Sequence, residues 1–159
     1  MTIKWITMLA ALAGLHLLQA TPVRAVRPNP LLTPGTASAA GAADVCRPGF
    51  AQQMRAVPES IKRQIYSEYN VVPQRGERFE IDHLIPLELG GANDRHNLWP
   101  QPFAGTWTAG QKDRLENALH RDICHGREPL EQAQEDIKQD WIGAYIRRFG
   151  PQEGAANGD

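Results

Sequence analysis

The stretch from 78 to 100 constrains the fold more than any other part of the chain. Residues 78–84 (RFEIDHL) alternate Phe79 and Ile81 with polar side chains, the period of a short strand. Residues 87–94 (LELGGAND) form a loop with strong turn chemistry. Residues 97–100 (NLWP) read as a short return strand, ended by Pro100 and Pro102. Helical patterns flank this ribbon. Over 58–69, Ile61, Ile65 and Tyr69 recur at i+4, Pro58 suits a first turn and Asn70 suits the stop. Over 111–123, Leu115, Ala118 and Leu119 face inward while Lys112, Glu116 and His120 form another stripe. Over 129–149, Leu130, Ala133, Ile137, Trp141 and Tyr145 keep the 3.6-residue period, with Pro129 in the first turn. Helix, two short strands, helix, helix is an α+β order with more helix than sheet.

The ends of the chain have a different composition. Residues 1–25 carry Lys4, an apolar run and the small-residue exit Val23, Arg24, Ala25, the layout of a Sec signal peptide. Leu18, Gln19 and Ala20 offer a second cleavage point. The run is shorter than the ~20 residues of a membrane span, which leaves an uncleaved anchor as the weaker alternative. Export then predicts a periplasmic or secreted protein with no stable membrane insertion after cleavage. Residues 26–44 hold prolines and a Thr/Ala/Ser/Gly tract without period, and read as a disordered tether. Residues 150–159 read as a disordered tail. The folding unit is 45–149, one domain of a 159-residue chain.

A net charge of −1 excludes a strongly basic protein that coats nucleic acid. Two cysteines exclude a disulfide-rich miniprotein and a four-cysteine zinc module. In an oxidising compartment Cys46 and Cys124 are most simply one disulfide, since neither sits in a Cys-x-x-Cys pair. Closing so long a loop stabilises by roughly 4–5 kcal/mol in the chain-entropy model.

Asp82 and His83 concentrate the chemistry. Adjacent strand residues point to opposite faces, so at a strand end one can reach a metal and the other a substrate. Phosphodiester hydrolysis needs a base for water and a divalent cation to take up charge on the scissile phosphate. Histidine has the right ordinary pKa for the base, and a carboxylate is a hard ligand for the cation. Asn97 can bridge the loop and orient the imidazole.

The chain resembles the HNH endonucleases, the ββα-metal fold, through Asp82 and His83, Ile85-Pro86-Leu87, Gly90 and Gly91, and Asn97 and Leu98. It is most similar to an exported bacterial subgroup with EIDHLIPLELGG (80–91), NLWPQ (97–101) and the helical stretch 112–124. The resemblance spans nearly all of the folding unit. It implies that His83 is the general base, that Asp82 binds a single divalent metal, and that Asn97 holds the loop and steers the base. The family's third signature residue has no counterpart: Thr106 stands in its place, and 99–110 reads as an insertion. Glu116 is the expected second ligand and His120, spaced i, i+4 from it, either a third ligand or a phosphate contact, with Asp113 and Lys112 their rivals. The implied metal is Mg²⁺, with Mn²⁺ or Zn²⁺ as alternatives.

Six basic residues against three acidic ones between Arg47 and Arg78 suit a polyanion. Arg78, Arg95 and Lys112 are the expected phosphate contacts. Such contacts position a nucleic acid without reading sequence, and no segment resembles a recognition helix. The expected substrate is therefore DNA, with RNA as the alternative, cut with little sequence preference. The competing expectation is a domain of the same fold that binds metal or nucleic acid without catalysis.

Overall fold

A computed structural model describes residues 27–72 and 75–152. The expected signal segment and all but the start of the expected tail lie outside them. The described residues form an α+β fold with more helix than strand. Strand β1 (Phe79–His83) pairs antiparallel with β2 (Leu98–Pro102), with Glu80 opposite Gln101, Asp82 opposite Trp99 and His83 opposite Leu98. The sheet has two strands, so β2 carries Pro100 and Pro102 without breaking a ladder on a second side. The expected end of β2 at Pro100 is thus extended by two residues.

Three of the helices match the expected patterns: α3 (Glu59–Glu68), α4 (Ala109–Cys124) and α5 (Leu130–Phe149). Helix α4 starts two residues early because Thr108 and Gln111 make a capping box. Pro58 and Pro129 sit at the N-caps and not in the first turns. Helix α5 is interrupted at Asp140, which leaves helical geometry and accepts a bond from the Gly143 N–H. Two short helices, α1 (Ala42–Val45) and α2 (Phe50–Met54), precede them. Leu115, Leu119 and Ile123 of α4 meet Ala133, Ile137, Trp141 and Tyr145 of α5 in one core, with Val45, Phe50, Ile85 and Leu89 closing it. The Cys46–Cys124 disulfide joins the end of α1 to the end of α4.

The expected tether over 26–44 is corrected. Arg27 pairs with Asp140 of α5 and the Asn29 N–H donates to the Tyr69 hydroxyl, and from Thr33 onward the chain lies along the ribbon and is tied to it. Thr33 is buried, and its hydroxyl donates to the Leu98 carbonyl at 2.8 Å. The Gly35 N–H donates to His96 O, and Ser38 N–H to Gly90 O. Ala37 forms a bridge with Gly91. Small residues and prolines without a period suit this close backbone contact as well as they suit disorder. Gly91 shows the closeness: a Cβ there would lie 1.8 Å from the Ile85 carbonyl oxygen.

Candidate active site

β1 carries its polar residues to the mouth of a cleft of about 570 Å³. Strand alternation puts Glu80 and Asp82 on one face. His83 ends the strand where the chain turns away, and the Leu84 N–H donates to the Asn97 carbonyl at 2.7 Å. Around the cleft β1 supplies Glu80, Asp82 and His83, the turn Leu87–Leu89 supplies Glu88, and α4 supplies Asp113 and Glu116. Arg55, at the end of α2, and Lys62, on α3, bring positive charge to the same cleft.

His83 is buried, and its Nε2 lies 2.8 Å from Asn93 Oδ1. The Asn93 amide nitrogen donates to the Met54 carbonyl, which fixes the amide with its oxygen toward the ring. Nε2 therefore carries the ring proton and Nδ1 is the acceptor. Burial lowers the His83 pKa below its ordinary 6.5, and the bond to Asn93 only partly opposes this. The neutral ring is the form present at neutral pH.

Asn97 does half of what was expected of it. It is wholly buried and holds the loop: its amide nitrogen donates to Ile85 O at 2.9 Å and Ala92 O at 3.0 Å. Its oxygen accepts from the Ile85 N–H at 2.9 Å and the Thr36 N–H at 3.3 Å. That uses both amide protons and both lone pairs, so the ring of His83 is oriented by Asn93 instead. Asn93 was missed. Its place in a turn-rich run reads as turn chemistry, and only the fold brings it to the imidazole.

Lys112 is not a phosphate contact. It is wholly buried, and its ammonium donates to Asp82 Oδ2 at 2.7 Å, to Glu116 Oε1 and to the His83 carbonyl. Three protons meet three acceptors. Burial pushes the Lys112 pKa down, but the Asp82 and Glu116 carboxylates outweigh it and hold the group charged, above its ordinary value. The other expected phosphate contacts also lie elsewhere: the Arg78 guanidinium sits 5.0 Å from the Phe103 ring centre, and Arg95 pairs with Glu68 at 3.3 Å. The cations that line the cleft are Arg55 and Lys62, both counted in the basic stretch but not separable there from solvated charge.

The expected ligands divide. Asp82 and Glu116 reach the cleft; His120 does not line it. The His120 Nε2 donates to the Val45 carbonyl at 3.0 Å and lies 3.5 Å from Cys124 Sγ. Donor atoms of Cys46, His120 and Cys124 fall within 4.8 Å of one another, a group that could hold a metal when reduced. With the sulfurs bonded to each other, neither is a thiolate ligand.

The cleft is rich in carboxylates, the residue type that could hold a hard cation. Asp82 and Glu116 each give one oxygen to Lys112 and each line the cleft. Glu88 Oε1 is buried with no hydrogen-bond partner among the described residues. Burial, then the Asp82 and Asp113 charges, raise the Glu80 pKa to about 7. Burial also raises Glu88 and Asp113. Carboxylates that burial and each other disfavour are stabilised by a divalent ion, and an all-oxygen set suits Mg²⁺ or Mn²⁺ over Zn²⁺.

No family model, curated protein or solved structure matches the chain.

Proposed function

We propose that the chain is an exported, metal-dependent endonuclease of the HNH type, hydrolysing DNA with little sequence preference. In this reading β1, β2 and α4 are the ββα-metal core. The observation that carries it is the His83 ring, neutral and with Nε2 committed to Asn93, beside Asp82 in a carboxylate-lined cleft.

His83 Nδ1 takes a proton from water as the water oxygen attacks phosphorus and the P–O bond to the leaving sugar oxygen breaks. Asn93 keeps the ring in the tautomer that can accept. Arg55 holds phosphate oxygens at the cleft, with Lys62, which is paired to Glu59, adding positive charge beside it, and Asn97 keeps the loop that carries Asn93 in register. Asp82 and Glu116, through the oxygens not given to Lys112, with Glu88 beside them, would hold a divalent ion. Bound there, it supplies charge compensation for the scissile phosphate and the leaving oxygen.

A second reading, a domain that binds metal or nucleic acid without cutting, is favoured by the Lys112 ammonium already shared between Asp82 and Glu116. Incubating supercoiled plasmid with the oxidised chain separates the two. The first reading expects nicking with Mg²⁺ or Mn²⁺ that EDTA abolishes. Plasmid retardation without nicking supports the second.

A further inference from the structure

A lysine with no exposed surface is expensive to bury, and chains keep such a charge only where partners compensate it fully. Lys112 is compensated by groups on two elements. Asp82 Oδ2 and the His83 carbonyl belong to the end of β1, and Glu116 lies one turn along α4 from Lys112 itself. The ammonium thus ties the strand end to the helix at the two residues that matter for the proposed chemistry. It grips the Asp82 side chain through one oxygen, which restricts where the other can go. It grips the His83 backbone, which sets the origin of the imidazole, while Asn93 sets the ring's rotation. No other described side chain bonds both Asp82 and His83.

We infer that Lys112 is a positioning residue, fixing the Asp82 carboxylate and the His83 main chain in the geometry that binds the divalent ion and activates water. The inference rests on the proposed function: its catalytic half on the nuclease reading, its metal half on a divalent ion at the Asp82 and Glu116 oxygens. Its sign is unusual. By charge alone, removing a cation from a cation-binding cleft tightens the binding of a second cation. By positioning, removing Lys112 weakens it, because Asp82 loses its anchor.

The test compares Glu116→Gln with Lys112→Met/Glu116→Gln. The first keeps Lys112 and its bonds to Asp82 and His83; the second removes them without leaving Glu116 as an unpaired buried charge. Any loss of Glu116 as a ligand is common to both and cancels. Mn²⁺ titration by calorimetry, with circular dichroism to show that both are folded, reads the metal half. The double variant is expected to bind Mn²⁺ roughly tenfold to a hundredfold more weakly than Glu116→Gln, the range for groups that orient metal ligands. Mn²⁺ binding equal to or tighter than that of Glu116→Gln overturns the inference. If the double variant does not fold, the same titration of Lys112→Met against the parent chain decides, with the same expected direction. Plasmid nicking by the parent chain judges the nuclease reading separately: a parent that binds Mn²⁺ and does not nick defeats that reading and leaves the Mn²⁺ shift to decide the role of Lys112.

Discussion

The two ends of α4 carry polar side chains at the same spacing and put them to different uses. Toward the N-terminus, Lys112 and Glu116 share an ion pair against β1, and Glu116 borders the cleft. Toward the C-terminus, His120 and Cys124 stand beside α1, where a disulfide and a bond to the Val45 carbonyl fasten the helix. A four-residue step keeps side chains on one face of a helix. It says nothing of which element that face meets further along. One end is held by a covalent bond and a hydrogen-bonded imidazole; the other balances buried charge.

The largest effect that would sharpen the contrast lies at the staple. Cys46→Ser/Cys124→Ser is expected to lose about 4–5 kcal/mol of stability in chemical denaturation, from the chain-entropy model for so long a loop. Mn²⁺ binding by the folded fraction should be unchanged. A loss of metal affinity equal to that at the cleft would break the division between the two ends.

His120→Ala comes next. It removes one hydrogen bond and should cost about 1 kcal/mol, with metal affinity within roughly twofold of the parent chain. A large fall in metal affinity would restore His120 as a ligand and join the two ends in one site.

The smallest effect concerns pH. Glu80 has an ordinary pKa of 4.5 and is raised to about 7 in the fold by burial and by Asp82 and Asp113. A raised carboxyl contributes stability that is complete below 4.5 and is lost as pH rises through 7. His83, lowered from 6.5, acts in the opposite sense, losing stability as pH falls below that value. The difference between the parent chain and Glu80→Gln in EDTA isolates the carboxyl. The parent should lose about 2–5 °C of melting temperature relative to Glu80→Gln between pH 4.5 and 7.5, and Mg²⁺ should restore it. Parallel curves would show that the cleft is not charge-strained.

The helices and the ribbon were legible because their signals are local: the alternation of Phe79 and Ile81, and the period of Leu130, Ala133 and Ile137. Asp82, His83 and Asn97 were legible as a cluster because they lie within one short stretch. What the sequence hid was lateral. Asn93 and Asn97 are two asparagines of one loop, and nothing local says which reaches the imidazole and which the backbone. Lys112 reads as an exposed helical cation until β1 is seen to cover it. Residues 27–44 have no period because they contribute backbone to the ribbon's loop and a single buried side chain, that of Thr33.

In the proposed function His83 is the base of a metal-dependent nuclease. The direct measurement is plasmid nicking by His83→Ala beside Mn²⁺ binding by the same variant. Nicking is expected to fall by at least about a hundredfold, the low end for loss of a general base, while Mn²⁺ affinity stays within a few-fold of the parent chain. Nicking that survives His83→Ala, or that proceeds in EDTA, would contradict it.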